Sequence, residues 1–279
     1  VTLSLRAESR VLLPQSAPTL TAFLHRNTPE PVATTLIVEQ DLPGGETRGR
    51  RYAVPPSDEA PLRAFPLPLR WPEPLPAGEF AVRVRLADTR DPEERAVVLR
   101  VPWDWSVLGP LDFIPAHAPL PPESDPAPRA GTTWGAPGAS WRRFDKAFYD
   151  QYGLMDFGRL YAGRTFHAPP RKALYGFTEV RAAREGAYAL RVMADDHIVV
   201  WVNGEQVGRI TETGPPIRTA REMPIRLQAG RNRILFRLNQ REDQWMAGLR
   251  IRNPDGSTAD VRGIPFAEQA FYSGADSED

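Results

Sequence analysis

Val1, Leu3 and Leu5 alternate with Thr2, Ser4 and Arg6, and a period of two returns at Leu20-Ala22-Leu24, Leu36-Val38 and Phe80-Val82-Val84-Leu86. Successive side chains of a strand point to opposite faces, so this spacing predicts strands with one buried side. Arg83 and Arg85 take the outward face of the last one. Turn signals punctuate the series at Pro43-Gly44-Gly45, Pro55-Pro56-Ser57-Asp58 and Pro76-Ala77-Gly78. No helical period of any length intervenes. The pattern predicts an immunoglobulin-like β-sandwich over residues 1–102.

A second all-β unit is predicted over residues 129–265. In the run from His197 to Gly204, Ile198, Val200 and Val202 face one way while Val199 and Trp201 face the other. Apolar residues on both sides predict a strand covered on both faces. Asn203-Gly204 then supplies a hairpin turn, because a type I′ turn needs positive φ at both central positions. Further strands follow at Met223–Gln228, Asn232–Leu238 and Leu249–Arg252, with turns at Ala229-Gly230 and Asn253–Gly256. One helix is expected, from Arg142 to Tyr152, where Phe144, Phe148 and Tyr152 recur every four residues.

Proline sharpens the division. Of 30 prolines, 22 precede residue 129, and seven crowd the 19 positions from Pro110 to Pro128. Proline donates no backbone hydrogen bond and favours extended geometry. Residues 103–128 therefore read as a Trp/Pro-rich linker, or as a long loop wrapping over a domain surface, and residues 266–279 as an acidic tail. The fold class expected is all-β, with two β-sandwiches.

Charge and cysteine exclude several functions. The 35 basic and 35 acidic residues cancel, and residues 1–102 hold 13 of each. Nucleic-acid binding, which draws on a basic excess, is not expected. Without cysteine there are no disulfides, thiolate nucleophiles, zinc ribbons or iron–sulfur clusters. No stretch approaches the roughly 20 apolar residues of a membrane-spanning helix. A chain beginning at valine fits secretion with signal removal, or excision from a larger parent protein.

The run ALRVMADDHIVVWVNGEQVGRI, followed by PIRLQAGRNRILFRL, resembles galactose-binding-like jelly-roll modules of the carbohydrate-binding kind. That group has paired acidic residues, an apolar strand ending in a V-W-V-N-G hairpin, and a later L-x-x-G-x-N strand. Asp104-Trp105-Ser-Val-Leu-Gly-Pro110 resembles the W-x-x-x-G-P-F opening of such units, with Leu111 in place of phenylalanine. His197 stands where a glycine is commoner. The resemblance implies a galactose-binding-like jelly roll in the C-terminal half. It also implies that Asp195 and Asp196 bond turn backbone and that Trp201 lies in the core.

Candidate chemistry is sparse. His25, His117, His167 and His197 are dispersed, with no H-E-x-x-H spacing and no G-x-S-x-G elbow anywhere. His197, beside two aspartates, is the best placed of the four for metal or proton transfer; its alternative is a solvated turn residue. No enzyme activity is expected. No cofactor is expected either, although the oxygen-rich turn Asn253–Asp260 offers calcium the carboxylates of Asp255 and Asp260.

Sugar recognition pairs an aromatic face with polar groups that bond hydroxyls. Trp134, Trp141 and Trp245 are the candidate rings, with Arg241 and Asp243 as polar partners; Trp103 and Trp105 are expected to anchor the linker. The reading is a non-catalytic extracellular or cell-surface module, contacting polysaccharide and holding a partner or attached enzyme near it. The alternative is a structural subunit of a bacterial surface filament or layer, with Val1–Arg6 adding to a neighbour's sheet.

Overall fold

The computed structural model describes residues 1–7, 19–25, 30, 33–42, 46–56, 62–71, 75–87, 94–114, 123, 139–165, 170–216 and 218–270. The chain divides into two compact units, Val1–Val101 and Pro102–Asp279. Both are built from antiparallel sheets.

The first unit has β1 (Thr2–Ala7), β2 (Leu20–His25), β3 (Thr34–Asp41), β4 (Thr47–Val54), β5 (Leu62–Leu67), β6 (Gly78–Leu86) and β7 (Arg95–Val101). They form a three-stranded sheet, β1-β2-β5, and a four-stranded sheet, β4-β3-β6-β7. The period-two residues meet as the pattern requires. Leu3, Leu20 and Ala22 from one sheet and Leu36, Val38, Phe80, Val82 and Val84 from the other make one core. Arg83 points outward and grips Asp41 through two bonds of 2.7 and 2.9 Å. The β-sandwich expected here is present. Within the unit, β1 pairs with β2 from Thr2–His25 to Ala7–Leu20 and forms an edge of its sheet. Arg95 Nε also donates to the Leu3 carbonyl at 3.0 Å. The turn at residues 43–45 lies outside the described residues.

The second unit begins with β8 (Ser106–Asp112), followed by β9 (Trp141–Arg143), β10 (Met155–Asp156), helix α1 (Phe157–Ala162) and β11 (Lys172–Ala182). Then come β12 (Gly186–Asp195), β13 (His197–Val202), β14 (Glu205–Ile210), β15 (Arg221–Leu227), β16 (Gly230–Gln240), β17 (Met246–Arg252) and β18 (Val261–Gly263). The larger sheet runs β14-β13-β16-β11-β8-β9, with β18 also on β11; the smaller runs β10-β17-β12-β15. Val107, Leu190, Val192, Ile198, Val200 and Phe236 fill the space between the sheets. A second cluster covers the other face of the large sheet, with Leu108, Leu111, Ile114, Trp141, Tyr175, Phe177, Trp201 and Leu235. Strand β13 is therefore covered on both sides, and Trp201 is core. The β13–β14 hairpin closes through Asn203 and Gly204 at φ of 51° and 86°.

Three expectations are corrected. Residues 103–114 belong to the second unit rather than to a linker, while residues 115–122 and 124–128 lie outside the described residues. Ser106–Asp112 is a strand paired with β11, and Trp105 packs against Phe236 in the core at 5.2 Å between ring centroids. Glycine and proline at 109–110 mask the strand, and β11 nevertheless resumes pairing after a register shift between Ala173 and Tyr175.

The expected helix from Arg142 to Tyr152 is instead β9 followed by one 3₁₀ turn, Lys146–Phe148. Asp145 caps that turn, while Asp150 accepts the amides of Tyr152 and Leu154 at 2.8 Å each, and these local bonds compete with helix. The four-residue spacing still buries Phe144, now against Phe148, Tyr149 and Phe157.

The start of the acidic tail is docked. Gln269 is buried, donating to the carbonyls of Asp104 at 3.1 Å and Ile264 at 2.9 Å, and the Ala270 amide donates to Glu179 at 2.8 Å. Residues 271–279 lie outside the described residues.

Candidate functional site

The site grows from the register of two strands. Lys172 of β11 and Gln240 of β16 are partners, so the next residues out, Arg171 and Arg241, leave the sheet side by side. Arg171 holds a left-handed φ of 56°, a conformation that costs a non-glycine residue about 1 kcal/mol. Its carbonyl accepts the Phe113 amide at 3.1 Å, which brings the end of β8 alongside. Asn239 fixes the same segment by donating to the Ile114 carbonyl at 2.8 Å.

Asp196 sits between β12 and β13 and is almost fully buried. Its Oδ2 accepts the amides of Arg241 at 2.7 Å and Glu242 at 3.4 Å. The loop between β14 and β15 closes the remaining side, anchored where Thr219 Oγ1 donates to the Ala194 carbonyl at 2.5 Å. The result is a cleft of about 460 Å³ lined by Phe113, Arg171, Asp196, Thr213, Arg241 and Glu242. That volume lies within the usual span of small-ligand pockets, about 300–1,000 Å³.

Asp195 ends β12 and is buried. Burial, then the hydrogen bond to Asp196, then the charges of Asp196 and Asp243 push its carboxyl up to about 8, against the Gly214 amide. Burial lowers the pKa of His197, and the nearby Arg241 charge lowers it further, with Asp196 and Glu212 opposing. His197 is the first residue of β13, opposite Asn239 in the register, rather than a solvated turn residue. Its Nε2 is buried without a partner among the described residues.

Of the expected sugar-contacting residues, Arg241 is in the cleft, and Asp243 is exposed in the adjoining turn at φ 64°. Two of the tryptophans are not available for stacking. Trp245 is 0% exposed, against Tyr161 at 5.3 Å and Phe157 at 6.1 Å. Trp141 is buried in the outer cover, edge-on to Phe177 at 6.4 Å. Their neighbours in sequence are polar, but both rings fill apolar space that only the sheets create. Trp134 lies outside the described residues.

The calcium candidates make local contacts. Asp255 accepts the Ser257 amide at 2.9 Å and hydroxyl at 2.6 Å, which hold its carboxyl below the ordinary range. Asp260 pairs with Arg262 at 3.3 Å. Among the described residues no three His, Cys, Asp or Glu side chains group as metal ligands.

Phe113, Arg171, Thr213 and Glu242 were not singled out by sequence reasoning. Phe113 lay inside the supposed linker. The only sequence signal for the arginine pair is the strand register, which becomes readable once β11 and β16 are known to be neighbours.

No family model and no curated protein matches the chain. Among solved structures it is similar to an α-L-rhamnosidase from Dictyoglumus thermophilum, at 11% identity and a TM-score of 0.30, over 93% of this chain and 28% of that one. An anti-sigma factor domain-containing protein from Clostridium clariflavum aligns at 9% identity and a TM-score of 0.32, over 94% of this chain and 89% of the other. The apo lectin of Pleurotus ostreatus aligns at 16% identity and a TM-score of 0.26, over 90% and 78%. The chain thus spans little more than a quarter of the rhamnosidase. At these TM-scores the likeness assigns neither family nor function, and the cleft carries the functional reading.

Proposed function

We propose that the second unit is a non-catalytic, galactose-binding-like module that contacts carbohydrate in the cleft at the end of its large sheet. One observation carries this reading: the cleft joins an aromatic ring (Phe113), two guanidinium groups (Arg171 and Arg241), a hydroxyl (Thr213) and a carboxylate (Glu242). A pyranose has apolar C–H faces and a rim of hydroxyls, and it needs just such a ring beside donors and acceptors. Asp196 serves as scaffold, since its carboxylate is already engaged by two backbone amides of the lining turn.

The role is adhesion rather than turnover. The carboxyl with the raised pKa, Asp195, is buried and does not line the cleft. In this reading the first unit is a spacer, and the chain holds a partner or attached enzyme close to a polysaccharide outside the cell. No cofactor is required.

Isothermal titration against a panel of soluble oligosaccharides, with pull-down on insoluble polysaccharides, tests the proposal. Binding by the wild type that is lost in Phe113→Ala is the expected result. Absence of binding across the panel, or binding unchanged in Phe113→Ala, overturns it.

A further inference from the structure

We propose that the cleft selects an acidic sugar, whose carboxylate docks on the paired guanidinium groups of Arg171 and Arg241; this rests on the carbohydrate reading above. Three observations carry it.

The first is juxtaposition. The two arginines are consecutive exits from paired positions of β11 and β16, and both line the same cleft. Register, rather than chance approach of surface loops, holds them together.

The second is availability. Neither guanidinium makes a hydrogen bond or ion pair with a described residue, whereas neighbouring arginines do: Arg231 reaches Glu179, Arg237 reaches Glu123 and Arg221 reaches Glu212. Arg171 and Arg241 stand out by lining one cleft together. Guanidinium groups recognise carboxylates through parallel N–H donors, and such charge-assisted bonds are about twice as strong as neutral ones.

The third is the state of the acids nearby. Asp196 is engaged by the amides of Arg241 and Glu242, so it holds the turn rather than the guanidiniums. Burial and the adjoining Asp196 raise the pKa of Asp195, which favours its neutral form. Glu242 remains as an acceptor for sugar hydroxyls, Thr213 offers a hydroxyl, and Phe113 offers a ring face. The complementary ligand has a carboxylate, several hydroxyls and an apolar ring face, which describes a hexuronate unit within a polysaccharide.

The test compares matched ligands. Oligogalacturonate, alginate and hyaluronan fragments are each titrated beside their carboxyl-reduced forms, with the wild type, Arg171→Gln, Arg241→Gln and the double variant. Both side chains are exposed, and melting curves check that each variant is folded. At least one acidic fragment is expected to bind the wild type about tenfold or more tightly than its reduced form. Either substitution should lower affinity for the acidic fragment much more than for its reduced form, so that the preference is lost, and 200 mM salt should weaken chiefly the acidic ligand.

Equal affinity for acidic and reduced forms overturns the inference and leaves the carbohydrate reading standing. So does binding confined to neutral glycans, or a preference that survives in the double variant. Free acetate competing as well as the fragment reduces the site to a simple anion site and overturns the sugar selectivity. Binding of no glycan at all overturns both readings.

Discussion

Glu123 and Arg237, 114 positions apart in the chain, form a buried ion pair of 2.5 Å on the outer face of the large sheet. Tyr175 of β11 donates to the same carboxylate oxygen at 2.8 Å. Burial, and then Glu123 itself, raise the tyrosine pKa, so its hydroxyl stays protonated and keeps donating. The glutamate comes from the proline-rich stretch and is itself held on the sheet by these bonds. Removing one partner of a buried pair leaves the other's charge without its counter-ion, typically costing about 3–5 kcal/mol. Glu123→Ala is expected to lower stability by that order, read as a shift in the urea midpoint. Glu123→Gln, which keeps an acceptor for Tyr175, should lose less. A midpoint unmoved by Glu123→Ala would contradict these bonds.

Gly176 marks the closest approach inside the second core. A methyl group there would lie 2.2 Å from Cζ of Phe236, a fully buried ring that has nowhere to go. Overpacking of a filled core costs about 1–3 kcal/mol, and here at least the upper part of that range is expected for Gly176→Ala. Adding Phe236→Leu frees the space, so the double variant should be less destabilised than the two single losses summed. Thermal or urea unfolding measures both; strict additivity would mean that the two residues do not meet as described.

Asp195 gives stability a pH dependence of definite sign. An ordinary aspartate ionises near pH 4. In the folded chain Asp195 holds its proton up to about pH 8. Between those values the unfolded chain binds fewer protons than the native one, so stability falls as pH rises through the window and levels off above it. Asp195→Asn removes the contribution while keeping the side chain's shape. The wild type should lose more thermal stability than the variant between pH 5 and pH 9. Parallel curves for the two proteins would contradict the raised pKa of Asp195.

Trp245 separates core from binding surface. It is fully buried among Phe157, Tyr161 and the inter-sheet core. Trp245→Ala should therefore cost about 3–5 kcal/mol. Trp245→Phe, which keeps an aromatic ring, should cost less and leave glycan affinity within about twofold of wild type. A large affinity loss in a folded Trp245→Phe would return this ring to the binding surface.

Much of the fold was legible because strand periodicity reports burial directly. Phe80-Val82-Val84-Leu86 and Ile198-Val200-Val202 go into cores as their spacing requires, and Asn203-Gly204 turns where a type I′ hairpin needs it. What failed were places where a local signal competes with pairing. The Gly109-Pro110 step disguised β8, and the aromatic spacing of Phe144 and Phe148 reported a shared packing site rather than a helix. Tryptophans in polar stretches looked exposed, yet burial of a large ring is set by what other strands place over it.

The sequence by itself determined the all-β class, the two sandwiches, the central two-faced strand and its hairpin. These depend on alternation and backbone conformation within a few residues. Only the tertiary structure decided the site. Phe113, Arg171, Asp196, Thr213 and Arg241 come from separate segments and meet because β8, β11, β13 and β16 are neighbours in one sheet. Strand order depends on which faces bury together across the whole chain, and no local pattern contains that information.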